Sequence, residues 1–352
     1  MNETKIRIGV VGFDHWYTAI SFAQRLVGHA DAELAGIADP DPDRAGQVGE
    51  RVGRPDLVVR VADLIADRSV DAIASFVNSE RNPEICIAAA GEGKHLLSIK
   101  PMARTLEQAD RVAAAVARSG VVFLPAESRA RLAPQNQRLK EWFAEGRFGR
   151  IISSYATLWA SLPQRWPGDP DPGWFADPAL TVGGAWIDHS IYQLDLLRWL
   201  SGHEVASVKG HAATLTHPGL RVEDYGVATV IFDDGAVATI EDTWTCPPGA
   251  SRAMTTVVGT EGAFTYDRGQ GRLSVSGNFP PLTGWIQVAA AGAQADAIDH
   301  FAGLIRGDAE PVATVEDGRR NLAACLAFYE SAARGVAVEP VGSQENRVGG
   351  AV

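Results

Sequence analysis

Residues 5–21 read KIRIGVVGFDHWYTAIS. Ile6, Ile8, Val10 and Val11 pass from alternation into a continuous apolar run, which predicts a buried strand. Gly12 ends the run, the cluster Asp14, His15, Trp16 and Tyr17 follows, and residues 18–27 can continue as a helix. A strand, a glycine turn and a helix in this order open a dinucleotide-binding βαβ unit. If Gly12 is the first glycine of G-x-G-x-x-G, however, Asp14 and Tyr17 fill the other two places. The turn alone leaves nucleotide binding open, and the rest of the chain must decide it.

The pattern repeats outward from there. Strands are predicted at 33–38, 58–61, 70–77, 95–99 and 121–124, and helices at 43–49, 62–67, 84–91 and 105–119, the last with Gly120 as its C-terminal stop. Such alternation makes a parallel sheet that binds ligands at the carboxyl ends of its strands. One crest then carries the candidate cofactor residues Gly12, Phe13, Asp14, His15, Trp16, Asn78, Ser79 and Lys100, with residues 127–129 beyond them. Asp39 joins them, about 20 to 30 residues after the glycine turn, where such folds place the carboxylate that binds the adenosine ribose. The plainer reading of Asp39 is a cap on the helix at 43–49. A carboxylate there repels a 2′-phosphate, which favours NAD over NADP. Lys100 ends an apolar strand and is held by Pro101, so its ammonium could polarise a carbonyl oxygen or hold an alkoxide. The plainer reading is a surface lysine.

Beyond a helix at 135–146 and a strand at 151–159 lies an irregular stretch, 160–180, too long for a simple connection. Its tryptophans, Trp166 and Trp174, stand among Gln164, Arg165 and Asp169. That mixture suits a sugar, with Trp166 as a stacking surface, or a loop that packs its own aromatics. The helix predicted from 185 and stopped by Gly202 puts Asp188, Tyr192 and Asp195 on one face, with His189 about 100° round. A phenol placed by a carboxylate near a lysine can act as a general acid/base. Asp195 reads as structural, satisfied by Arg198 or by backbone donors. Period-two strands follow at 205–211, 225–232, 236–245, 253–259, 263–267 and 272–276, with Asp234-Gly235 as a hairpin turn, then helices at 295–306 and 315–334 and a polar tail. The expected division is a dinucleotide-binding domain at 1–125, a substrate-binding and oligomerisation domain at 126–340, and a tail at 341–352.

A net charge of -11 and a pI near 5.2 argue against nucleic-acid or anionic-membrane partners. No apolar run reaches the ~18 residues of a spanning helix, and the start MNETKIRIG lacks the basic-then-apolar plan of a signal peptide. Cys86, Cys246 and Cys325 are far apart and have no CxxC spacing, so neither a disulfide framework nor a metal site is expected. A cytoplasmic protein without a metal is the expectation.

Seven segments together resemble the glucose-fructose oxidoreductase / inositol dehydrogenase / rhizopine-catabolism (Gfo/Idh/MocA) family. They are IGVVG at 8–12, ADPDPDRA at 38–45, GKHLLSIKPMART at 93–105, GGAWIDHSIYQLDLLRWLSG at 183–202, FDDGAVATIEDTW at 232–244, VVGTEGAF at 257–264 and DGRRNLAACLAFYESA at 317–332. The resemblance implies an α/β protein with an N-terminal Rossmann domain and a C-terminal α/β domain whose open sheet is largely antiparallel. It also implies a homodimer or homotetramer built by packing those sheets, and NAD(P)-dependent chemistry on sugars and polyols. By position, Lys100 is the lysine of the family's E-K-P motif, Asp188 its helix aspartate, and Tyr192 its acid/base. Most members carry histidine at that last place and some carry tyrosine. Departures fall in the cofactor half: Ile99 for the glutamate of E-K-P, Asp14 and Tyr17 for glycines, and Asn82 for a histidine.

The resulting expectation is an NAD(H)-dependent oxidoreductase acting on a secondary hydroxyl or ketone of a sugar, glycoside or polyol. Lys100, Asp188 and Tyr192 would be catalytic, and Lys100, Trp166, Asp188, His189 and Tyr192 would contact substrate. The departures leave two other readings open. One is a sugar or nucleotide sensor without turnover, and the other is a closed redox cycle on tightly held NAD that ends in elimination or glycoside cleavage.

Overall fold

Five short apolar segments, β1 (Ile6–Val11), β2 (Ala32–Ala38), β3 (Ala72–Ser75), β4 (His95–Ser98) and β5 (Phe123–Pro125), pair in parallel in the order β2-β1-β3-β4-β5. The computed structural model describes residues 4–277, 279, 284–290 and 297–342. Helices α1 (Trp16–Leu26), α2 (Pro42–Arg51), α3 (Val61–Ala66), α4 (Asn82–Gly91) and α5 (Leu106–Ser119) make the crossovers. Thr105 and Gln108 close a capping box at the start of α5, and Gly120 ends it in the left-handed conformation. Strand order reverses about β1, which places the ligand crevice at the carboxyl ends of β1 and β3.

The strand expected at 58–61 does not form. Only Val58 pairs, with Ile37, because Val61 already opens α3 and leaves no room for a second pair. Helix α1 begins at Trp16 rather than at 18, so Trp16 and Tyr17 project from its first turn.

The second sheet runs β13-β12-β11-β10-β6-β9-β8-β7. Its strands are β6 (Ile151–Trp159), β7 (Val205–Ala213), β8 (Tyr225–Phe232), β9 (Val237–Thr243), β10 (Arg252–Gly259), β11 (Gly262–Asp267), β12 (Arg272–Gly277) and β13 (Trp285–Gln287), the last not foreseen from sequence. Every pairing is antiparallel except β6 with β9. α6 (Pro134–Ala144) precedes it, and α7 (Ala185–Ser201) packs against β6, β8 and β9. Trp186 of α7 stacks on Phe328 of α9 (Val315–Arg334) at 4.0 Å. Fully buried Asp195 accepts from Arg131, Ser128 and Asn321, while Arg198 pairs with Glu204 instead, so the aspartate is structural but its partners come from other elements.

α8 (Ile298–Arg306) does not stay with the second sheet. Ile298, Phe301 and Ala302 bury in the same cluster as Ile6, Leu26 and Leu34, and Arg306 donates to the Asp31 carbonyl at 2.9 Å. The first two residues of the helix expected at 295–306, and the tail from 343, lie outside the described residues.

Candidate active site

β4 delivers Lys100 to the crest, where its side chain is only 2% exposed. The ammonium donates to both the carbonyl and Oδ1 of Asp188, each at 2.5 Å. Trp244, just past β9, donates from Nε1 to Asp188 Oδ2 at 3.1 Å, and His189 Nε2 lies 3.2 Å from the same oxygen. The aspartate is therefore clamped from the first sheet, the second sheet and its own helix. Burial works against its ionisation, but His189 and the Lys100 ammonium outweigh that and hold it well below the usual carboxylate range. Burial likewise opposes the charge on Lys100, and the Asp188 carboxylate with the Tyr192 and Tyr17 phenols raises its pKa above the ordinary lysine value. The pair is an ammonium and a carboxylate at neutral pH. Burial takes His189 down to about 4, so its imidazole is neutral.

One helical turn beyond Asp188, the Tyr192 ring lies under the ammonium, with Lys100 Nζ 5.0 Å from its centroid. Tyr192 is half-buried and lines a small cavity of about 50 Å³ with Gln193, Tyr266 and Arg268. Its hydroxyl has no partner among the described residues, so it can exchange a proton with a molecule held there. Asp242 sits beneath, accepting from Gln193 Nε2 at 2.8 Å, and burial followed by the nearby Asp188 charge raises its pKa well above the usual carboxylate range.

The glycine turn is rebuilt rather than broken. Gly12 has φ +84°, and a Cβ there would lie 2.2 Å from Val77 Cγ1, so only glycine lets β1 approach the loop after β3. Asp14 Oδ2 accepts from the Asn78 backbone N–H at 2.7 Å and from its side-chain amide at 2.9 Å, while Arg44 donates to Oδ1 at 2.8 Å. Arg44 thus supplies the cation that balances the Asp14 carboxylate. Asp39 accepts from the Phe13 N–H at 2.7 Å and the Asp41 N–H at 2.8 Å, and it is Asp41 that caps α2. The capping alternative for Asp39 therefore fails. Phe13 itself buries in the sheet core.

Among the buried polar groups on the crest without a partner are the His15 ring, at both nitrogens, the Ser79 hydroxyl and the Glu127 carboxylate. Burial, then the Lys100 charge, lowers the His15 pKa well below its ordinary value, so the ring is neutral. The substitutions at 99 and 82 are absorbed by packing. Ile99 is buried with the β-strand residues, and Asn82 accepts from Ser75 and donates to Ser98 and the Met102 carbonyl.

The loop at 160–180 closes on the glycine turn, not on Lys100. Trp16 Nε1 donates to the Gln164 carbonyl, Trp174 Nε1 donates to the Asp14 carbonyl, and Trp174 and Phe175 pack on His15. Trp166 stands against Trp16 and under Arg44, apart from the lysine cluster in which a substrate contact was expected. Arg165 and Asp169 satisfy each other. A cleft of about 710 Å³ opens beside this loop, bordered by Trp16, Tyr17, Gln164, His217 and Thr245. Sequence reasoning missed Trp244, Arg44 and Arg268, although Trp244 closes a segment that carries the family resemblance.

Comparison with known proteins fits this geometry. Residues 6–127 match a family model described as an oxidoreductase family with an NAD-binding Rossmann fold, and residues 136–265 match the GFO/IDH/MocA C-terminal domain. The chain is 29% identical to the 1,5-anhydro-D-fructose reductase of Ensifer adhaerens, over 87% of this chain and 91% of that protein. It is 27% identical to the scyllo-inositol 2-dehydrogenase (NAD(+)) of Bacillus subtilis, over 96% and 97% respectively. The WlbA dehydrogenase of Bordetella pertussis, solved with NADH and UDP-GlcNAcA, superposes with a TM-score of 0.77 at 26% identity, covering 96% of this chain and 99% of that one.

Proposed function

The chain belongs to the Gfo/Idh/MocA oxidoreductase family, and on that premise we propose that it is an NAD-dependent oxidoreductase acting on a secondary hydroxyl or ketone of a sugar or polyol. The observation that carries this reading is the Lys100–Asp188 pair at the crest of the NAD-binding sheet, with the free Tyr192 hydroxyl one turn away. The relatives named for activity on anhydrofructose and inositol support the substrate class.

The residues fit the cofactor. Asp39 would take the adenosine ribose, since its oxygens keep acceptor capacity beyond their backbone donors. The α1 N-terminus, Asn78 and the unpartnered Ser79 and His15 lie between Asp39 and Lys100. NAD, when bound, supplies the acceptor for the hydride of the substrate carbon. Lys100 then holds the substrate oxygen, and Asp188, pinned by Trp244, fixes the ammonium in place. Tyr192 exchanges the hydroxyl proton, and the neutral His189 orients Asp188.

A panel of sugars and polyols with NAD, read at the reduced-nicotinamide absorbance, tests the reading. Net NADH formation with at least one of them is expected. No turnover together with no calorimetric NADH binding at millimolar cofactor would instead leave a sensor. For cofactor choice, Asp39→Ala is expected to shift the NAD-to-NADP preference by about tenfold or more towards NADP, the scale of one charge-assisted hydrogen bond. Steady-state kcat/KM for both cofactors measures it, and an unchanged ratio would remove Asp39 from the ribose site.

This reading extends to a cytoplasmic homodimer or homotetramer. No helix among the described residues is long and apolar enough to cross a membrane, and all three cysteines are free thiols. Ile152, Tyr155 and Trp159 of β6 are exposed, which suits burial against a second copy. Sedimentation equilibrium reads the mass, and a monomer at micromolar protein would refute the assembly.

A further inference from the structure

Arginines in the interior of this protein come with carboxylates. Arg44 pairs with Asp14, Arg104 with Glu80, Arg131 with Asp195 and Arg198 with Glu204. Half-buried Arg129 and Arg268, whose side chain reaches solvent, do not: among the described residues neither guanidinium has a hydrogen bond or an ion pair. Arg129 lies in the 3-10 turn that follows β5 on the crest, and Arg268 immediately follows β11 and lines the cavity beside Tyr192 and Gln193.

The charge balance there is one-sided. Lys100 and Asp188 cancel, burial raises the Asp242 pKa well above the usual carboxylate range, and His15 and His189 are neutral, as described above. Glu127, on the same turn as Arg129, lies against Gly318 of α9, 3.5 Å from where a Cβ there would stand, and burial, then the Asp195 charge, pushes its carboxyl up to about 7. Arg129 and Arg268 have no carboxylate in ion-pair contact among the described residues, in a chain whose net charge is -11. They also oppose each other, since burial and then the Arg129 charge lower the pKa of Arg268, against the nearby Tyr192 phenol. Two guanidiniums held without counter-charge next to a reactive centre form a fork for an anion. The cofactor phosphates do not explain Arg268, which stands on the second sheet past Tyr192, away from the glycine turn where Arg44 sits.

We propose that the substrate is an anionic sugar, carrying a carboxylate or a phosphate that Arg129 and Arg268 grip while its reacting hydroxyl meets Lys100 and Tyr192. This rests on the oxidoreductase reading above and narrows its substrate class.

The test gives the full-length protein NAD with D-glucose and myo-inositol as neutral compounds, D-gluconate and D-glucuronate as carboxylates, and D-glucose 6-phosphate as a phosphate. The expected result is a higher kcat/KM for an anionic member than for either neutral one, with the carboxylate and phosphate arms identifying the group. In Arg268→Gln and Arg129→Gln the anionic-to-neutral ratio is expected to fall about tenfold or more, the scale of one charge-assisted hydrogen bond. The fall should appear mainly in KM, and Arg268→Lys should recover part of it. Preference for the neutral sugars, or a ratio unchanged in both glutamine variants, overturns the proposal and leaves the oxidoreductase reading standing. If no compound is turned over, calorimetric titration of the NADH-loaded protein with the three anions decides. Binding that Arg268→Gln weakens about tenfold supports the proposal, and no binding of any anion overturns it. NADH titration of the free protein judges the oxidoreductase reading separately.

Discussion

Lys100→Met is expected to lower kcat/KM on the best substrate by at least about a thousandfold, the scale for losing a donor aimed at a developing oxyanion, while NADH affinity stays close to wild type. The reason is the position of the ammonium. It is 2% exposed, held by two contacts of 2.5 Å to Asp188, and placed where β4 meets the crevice. Methionine keeps the stem and removes the charge. It also strands the Asp188 carboxylate, and breaking a buried pair of this kind costs about 3–5 kcal/mol of stability. Thermal unfolding will therefore show a lower Tm, and the double variant Lys100→Met/Asp188→Asn should recover stability without recovering turnover. Turnover in the single variant within about tenfold of wild type would exclude Lys100 from the reaction.

Tyr192→Phe comes second in size. The ring under the Lys100 ammonium survives, and only the hydroxyl that faces the cavity is lost. General acid/base catalysis is worth about 10²–10⁴, so kcat should fall by that range with KM little changed. His189→Ala should cost less, because that imidazole is neutral at working pH and bound to the side of Asp188. Tyr192→His should restore part of the rate with a pH optimum moved towards the imidazole range. If His189→Ala were the more damaging of the two, the proton would move through the imidazole instead.

The first sheet was legible because each strand is a short apolar run closed by glycine, asparagine or proline, and because Gly120 and Gly202 mark helix ends that the structure places in the left-handed conformation. The single false strand, at 58–61, has the right residues and lacks the length, which periodicity does not measure. Lys100 and Asp188 were legible as strand-end and helix-face residues, and their contact across 88 positions came only through the family resemblance. Charge partners were less legible. That Arg44 answers Asp14, or that Asp195 meets Arg131 rather than Arg198, depends on which side chains converge in space. The loop at 160–180 shows the same limit. Its composition suited a sugar, but its tryptophans turn towards the glycine turn, and no local pattern encodes that direction.

The placement of α8 has a consequence for how the chain matures on the ribosome. When the first ~130 residues have emerged, all five parallel strands exist, but the apolar surface that Ile298, Phe301 and Ala302 will cover is still open to water. The sheet that opens the chain is thus completed almost last. It must wait, partly unsealed, through synthesis of the whole eight-stranded sheet before α8, and then α9 against α5 and β5, arrive.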